Sequence, residues 1–207
     1  MKLYRLILSI SILFLFVQGI TAQRQRTFRG GIIGGINLSQ IDGDGILGYN
    51  KLGVMAGVHL RARYRSKMDL CLDMLYDQQG SSPLTEFTDY NSPFQIILDY
   101  ISFPVYVKFK DWLVEYQKSI YDYYRIEFDL GLAYSRAFRM QSPGGTTKFY
   151  SKNNYSFLLG AHYKWNTSLG LGFRYQRAFL PVHTFLDQDI LVWVIPYKIS
   201  FFTSYTF

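Results

Sequence analysis

The ten residues "MDLCLDMLYD", 68–77, decide how the chain folds. Met68, Leu70, Leu72, Met74 and Tyr76 alternate with Asp69, Cys71, Asp73, Leu75 and Asp77. In an extended chain successive side chains point to opposite faces, so one face is apolar and the other carries all three carboxylates. The same division recurs from Tyr124 to Ser135, where Tyr124, Ile126, Phe128, Leu130, Leu132 and Tyr134 oppose Arg125, Glu127, Asp129, Gly131, Ala133 and Ser135. A period of two kept over this length predicts long strands, and helical spacing fits neither stretch.

Carried along the chain, the template predicts eight strands, at about 28–38, 51–64, 68–79, 95–110, 123–138, 154–165, 167–179 and 191–207. Connections are tight at 65–67 and Asn166, long and polar at 39–50, 80–94, 139–153 and 180–190, and intermediate at 111–122. A soluble antiparallel sandwich or a lipocalin-like barrel would also alternate, because alternation does not say which face is inside. Four features do. Lys2 and Arg5 precede the apolar run Leu6–Val17, followed by Gly19, Thr21 and Ala22, which reads as a secretory signal peptide over residues 1–22. The strands are about ten residues or longer, their number is even with short and long connections alternating, and aromatic residues gather at their ends. Together these predict that residues 23–207 form an all-β, eight-stranded antiparallel up-and-down transmembrane β-barrel of the cell outer membrane, its apolar face to lipid. A single cysteine, Cys71, excludes an intramolecular disulfide framework in this cell-envelope protein. The net charge of +7 includes Lys2 and Arg5, and the other cations are dispersed, which gives no nucleic-acid-binding stripe.

Tyr64, Phe109, Tyr124, Tyr163, Trp165, Tyr205 and Phe207 are expected at the periplasmic girdle, and Tyr76, Tyr134, Phe138, Tyr175, Phe179 and Trp193 at the outer one. The lumen then receives His59, Arg61, Arg63, Asp69, Asp73, Asp77, Arg125, Glu127, Asp129, Arg174 and Lys198. In so narrow a barrel they should pair as a plug rather than line a pore. A proton or ion relay is the functional alternative. Pairing residue 64 with 68 would set Arg63 opposite Asp69 and His59 opposite Asp73, with Arg61 diagonal to both acids. Those five residues make the expected lumen charge network. Lumen-side glycines, Gly31, Gly35, Gly53, Gly57, Gly131, Gly160, Gly170 and Gly172, would make room for arginines. Pro104 removes a ladder hydrogen bond, and the parity of strand four changes: Ile96, Leu98 and Tyr100 would face lipid with Asp99 inward, then Phe103, Val105, Val107 and Phe109 with Lys108 inward. A bulge near 101–102 would reconcile the two halves.

Chemistry is thinly represented. His183 with Asp187 or Asp189 could supply a Ser/His/acid set, but no nucleophile motif accompanies them, and His59 and His162 read as lumen residues. "DGDG", 42–45, lacks the later ligands of a calcium loop and reads as a turn. No catalytic residue, metal or cofactor is expected. Arg136 and Arg177 interrupt the outer face near the extracellular rim, about 10 Å apart across strand six at an interstrand spacing of ~4.8 Å. With Lys152 they could grip the phosphates of an outer-leaflet glycolipid, against the plainer reading of solvated rim charge.

"GGINLSQIDG", 34–43, with "GVMAGVHLR" after it, and "LYDQQGS" followed by "LDYISFPVYVKF", 98–109, resemble the PorT-like outer-membrane β-barrel proteins of Bacteroidetes. The resemblance extends over the mature chain and implies the barrel fold, outer-membrane lipid as surroundings, and a scaffold without enzymatic activity. It also implies a link to type IX secretion through an unknown protein partner, met by the outer loops or the periplasmic face. A lipid-modifying or proteolytic barrel enzyme is the alternative. The aromatic last strand is similar to the signal read by the barrel insertion machinery, which would give Tyr205 and Phe207 a second role.

Overall fold

The computed structural model describes residues 28–43, 48–82, 96–114, 123–141, 150–187 and 190–207. The expected signal peptide, the second half of the DGDG fragment and Asp189 lie outside them. The elements are β1 (Phe28–Asp42), β2 (Lys51–Arg65), β3 (Met68–Ser81), β4 (Ile96–Val114), β5 (Tyr123–Gln141), β6 (Asn153–Lys164), β7 (Leu169–Ala178), β8 (His183–Asp187) and β9 (Ile190–Thr206). Each of β1 to β7 pairs antiparallel with the next, β7 pairs with β9, and β9 pairs with β1, so eight strands close into a ring without an edge. Register climbs around it: Gly35 stands opposite Met55, Met55 opposite Asp77, Asp77 opposite Tyr100, and Tyr100 opposite Ala137, near the far end of β5. That stagger is the strand tilt a closed barrel requires.

The solvent preference of the two faces is inverted relative to a water-soluble domain. Leu130 and Leu132 are more than half exposed, whereas Asp73 and Asp77 are 0% exposed. Val58, Leu70, Leu72, Met74, Val105, Leu159, Leu171 and Phe201 complete an outward apolar band. Its stable surroundings are hydrocarbon, which makes this a transmembrane barrel and rules out the soluble sandwich. Tyr64, Phe109, Tyr163, Trp165, Tyr205 and Phe207 are exposed at the short-turn, periplasmic end, and Phe138, Phe179 and Trp193 at the other. At the Trp165–Ser168 turn the Asn166 side-chain oxygen accepts hydrogen bonds from the backbone N–H groups of Ser168 and Leu169, at 2.8 and 2.7 Å. This Asx geometry closes the hairpin.

Three sequence expectations need correction. The stretch 180–190 is not simply a loop: after Phe179–Val182 the chain re-enters a ladder as β8, whose register with the top of β9 runs from His183 opposite Val194 to Asp187 opposite Ile190. In the β2–β3 hairpin Arg65, not Tyr64, stands opposite Met68, with an irregularity between Arg63 and Arg65. The bulge expected near 101–102 is absent. The β3–β4 register is the same on both sides of Pro104, with the ladder interrupted only between Leu72–Val105 and Leu75–Ser102. The register shift lies one strand over, where Asp99 pairs with Arg139 and Tyr100 with Ala137, leaving Phe138 of β5 as the extra residue. Ile96, Leu98 and Tyr100 therefore point into the barrel, not to lipid, and Asp99 stands on the opposite face, buried at 2% exposure and 3.7 Å from Arg139. The inversion is tolerated because the outer end of the lumen is itself apolar and the Asp99 carboxylate has a cation beside it.

The band yields a direct test. Leu130→Lys should destabilise the barrel by about 2–4 kcal/mol in denaturant titrations from lipid vesicles, the cost of a lysine near the bilayer midplane.

Candidate functional site

Arg174, on β7, is 1% exposed and sits at the middle of the lumen. Its Nη1 donates to Asp73 Oδ2 of β3, across the barrel, at 3.0 Å, and its Nη2 lies 3.6 Å from Asp129 of β5. Tyr106 and Phe202 flank it with their ring centroids 4.8 and 5.2 Å from the guanidinium carbon. Tyr106 also donates its hydroxyl to Asp73 at 3.0 Å. Glycine makes this possible at two places: a side chain at Gly131 would collide with Tyr106, and one at Gly172 with Phe202. These lumen glycines thus seat the rings that sandwich the arginine, rather than making room for arginine directly.

Toward the periplasm the charges continue as a chain. His162 is bonded to Asp129 at 2.6 Å, and Lys108 bridges Asp129 at 3.0 Å and Glu127 at 3.3 Å. Arg61 Nη2 donates to Glu127 at 2.6 Å, and Lys110 holds Asp69 at 2.7 Å. On the outer side of Arg174, Asp77 accepts hydrogen bonds from Asn37, Gln79, Ser102 and Lys198. Beyond this layer Ile41, Ile96, Leu98, Tyr100, Ala137, Val182 and Val194 form a buried apolar cluster across the outer end, with Met140 and Tyr150 packed against it. Each buried carboxylate of these layers is thus held by a buried cation, and apolar side chains pack the outer end, where Lys51 is buried too.

Of the five residues expected to make the lumen network, four are buried or half-buried on the inner face, and Arg61 does meet Asp69, at 3.6 Å, though the other partners differ. His59 stands opposite Asp73, and Arg63 opposite Asp69, as read from the sequence. The contacts run otherwise, because Asp73 is taken by Arg174 and Tyr106, and Asp69 by Lys110 with Arg61 at 3.6 Å. His59 contacts Thr206 at 3.1 Å, and Arg63 is exposed at the inner mouth. Arg125 lies on the periplasmic extension of β5, over the Trp112 ring. Lys108, Lys110, Tyr106 and His162 are network members the first list lacked. Parity places them inward, but strand neighbours alone do not show which residues meet across a lumen.

The three rim cations are not gathered. Arg136 stands opposite Asn153 and Arg177 opposite Phe157, so they are offset by about 13 Å along β6 at the rise per residue of a strand. Arg177 is also engaged, donating to Asp42 at 2.7 Å and lying over the Tyr197 ring, while Lys152 is exposed just before β6. A single three-cation clamp is therefore not formed. His183 is stacked on Tyr150, with centroids 5.4 Å apart. No group of residues suited to hold a metal ion occurs among the described residues. Tyr205 and Phe207 lie edge to face at the inner girdle, with centroids 5.6 Å apart.

No family model matches the chain, and no curated protein matches it. Solved structures similar to it include three outer-membrane or surface proteins. One is Ail, the attachment invasion locus protein of Yersinia pestis, at 13% identity and a TM-score of 0.46, covering 86% of this chain and 98% of that one. Neisserial surface protein A, at 12% identity and 0.45, covers 87% and 97%. OprG from Pseudomonas aeruginosa, at 13% and 0.40, covers 87% and 94%.

Arg174→Met should lower stability by about 3–5 kcal/mol, because it leaves the buried Asp73 without its cation. Adding Asp73→Asn should recover part of that loss, measured by denaturant unfolding of both variants in the same lipid.

Proposed function

We propose that this chain is a non-enzymatic integral protein of the cell outer membrane. Its lumen is a structural plug, and it acts through surfaces that project beyond the bilayer. The observation that carries the reading is the filled lumen: buried ion pairs occupy its middle, and among the described residues the Ile41–Leu98–Tyr100–Val194 cluster packs apolar side chains into its outer end. Solute passage and a transmembrane proton relay are both disfavoured by such a cluster. The export signal read in the sequence, with a barrel of this type, supports the outer membrane as its location. Tyr205 and Phe207 are suited to the insertion signal.

Two surfaces extend past the ring. Outside, β8 and the start of β9 rise above the end of β7. Inside, the β4–β5 ladder continues to Val114 and Tyr123, whereas β3–β4 pairing stops at Met68 and Phe109 and β5–β6 pairing starts at Ile126. This periplasmic hairpin presents exposed Trp112 and Leu113 and suits a protein partner. The PorT resemblance makes a component of type IX secretion the more specific reading. The alternative, a lipid-modifying or proteolytic barrel, would have to use His183, which here is stacked on Tyr150.

Reconstituted in planar bilayers, the protein should show no stable conductance. A photocrosslinker at Val114 or Thr184 should give discrete protein adducts in cells, and one at Leu130 none. Steady conductance, or no adduct from either projecting surface, would overturn the proposal.

A further inference from the structure

The inner mouth of the lumen is a funnel with about 50 Å³ of interior space, lined by Arg61, Arg63, Asp69, Lys110, Glu127 and Lys164 among others. Its charges do not balance. The two carboxylates are already taken, Asp69 by Lys110 and Arg61, and Glu127 by Arg61 and Lys108. Besides Arg29, which also lines the funnel, two further cations carry no ion pair among the described residues. Arg63 is exposed at the rim, and Lys164, the last residue of β6, is buried at 4% exposure. The Lys164 Nζ donates to the carbonyl oxygen of Thr167 at 3.0 Å, and no carboxylate lies within ion-pair distance of it among the described residues. A buried ammonium whose one hydrogen bond goes to a neutral carbonyl is costly unless a counter-charge joins it.

We propose that this funnel is an oxyanion-binding site, taking a phosphate group from the periplasmic side with Lys164 at its floor and Arg63 at its rim. Three features fit that ligand: a surplus of cations over acids, donors on opposite walls of a concave opening, and space for a small tetrahedral group. Arg63 supplies the planar fork that suits phosphate oxygens, and Lys164 supplies a point charge. The phosphate can be free in solution or be the headgroup of an inner-leaflet phospholipid that reaches the rim.

The test uses the full-length barrel in phosphatidylcholine nanodiscs at low ionic strength, titrated with inorganic phosphate and followed by calorimetry. A parallel set containing phosphatidylglycerol, without free phosphate, is followed by phosphorus NMR. Arg63→Gln and Lys164→Met are compared with the parent and with Arg136→Gln, and the shift between heated and unheated gel mobility verifies folding of each. Saturable phosphate binding, about tenfold weaker in each funnel variant as expected for losing one charge-assisted contact and unchanged in Arg136→Gln, supports the site with free phosphate as its ligand. A phosphatidylglycerol signal perturbed by the parent but not by the funnel variants supports the lipid headgroup. Absence of both, or binding that neither funnel variant weakens, overturns the proposal. Should Lys164→Met fail to fold, Arg63→Gln at the exposed rim decides alone.

Discussion

A guanidinium closed inside a narrow barrel must find every partner within the barrel, and Arg174 sets the terms for the residues around it. It is tied to Asp73 across the lumen and faces Asp129 beside it. Each of those acids is in turn tied to further groups, Asp73 to Tyr106 and Asp129 to His162 and Lys108. From there the pairing passes through Glu127 to Arg61 and on to Asp69. Because β2 to β7 all contribute, the network joins strands that share no ladder. Removing one member strands others, which is why such an interior is specific even where its net contribution to stability is modest.

The ends of the lumen differ, and the difference bears on function. At the outer end apolar side chains of β1, β4, β5 and β9, with Val182, pack together. At the inner end the network opens into a cationic funnel. A barrel built this way carries a cationic opening at its inner end and an apolar cluster at its outer one. It suits a scaffold whose contacts are made by the β8–β9 hairpin and the β4–β5 extension rather than by transport.

Much of this was legible in the chain. Period-two alternation from Met68 to Asp77 and from Tyr124 to Ser135 placed strands, faces and the ring, and the tight turn at 65–67 was enough to set His59 opposite Asp73. The misreading of Ile96, Leu98 and Tyr100 has a physical origin. They were assigned by charge avoidance at Asp99, which holds for a carboxylate exposed to hydrocarbon, but Asp99 is buried beside Arg139. The apolar character of the outer lumen could not be anticipated from β4 alone, since Ile41, Val182 and Val194 come from distant parts of the sequence. Ion pairs across the lumen, Arg174 with Asp73 above all, were missed for a related reason. Strand parity says which side a residue faces, and barrel stagger decides whom it meets.

The measurement that bears most directly on which face is inside is a nitroxide scan of β4 from Ile96 to Phe109 in lipid bilayers, on a Cys71→Ala background, reading oxygen accessibility at each position. Ile101, Phe103, Val105, Val107 and Phe109 should be accessible, with Leu98, Tyr100, Ser102, Tyr106 and Lys108 protected. The alternation should run unbroken past Pro104. A reversal of phase at 101–102, or equal accessibility on both parities, would contradict the account.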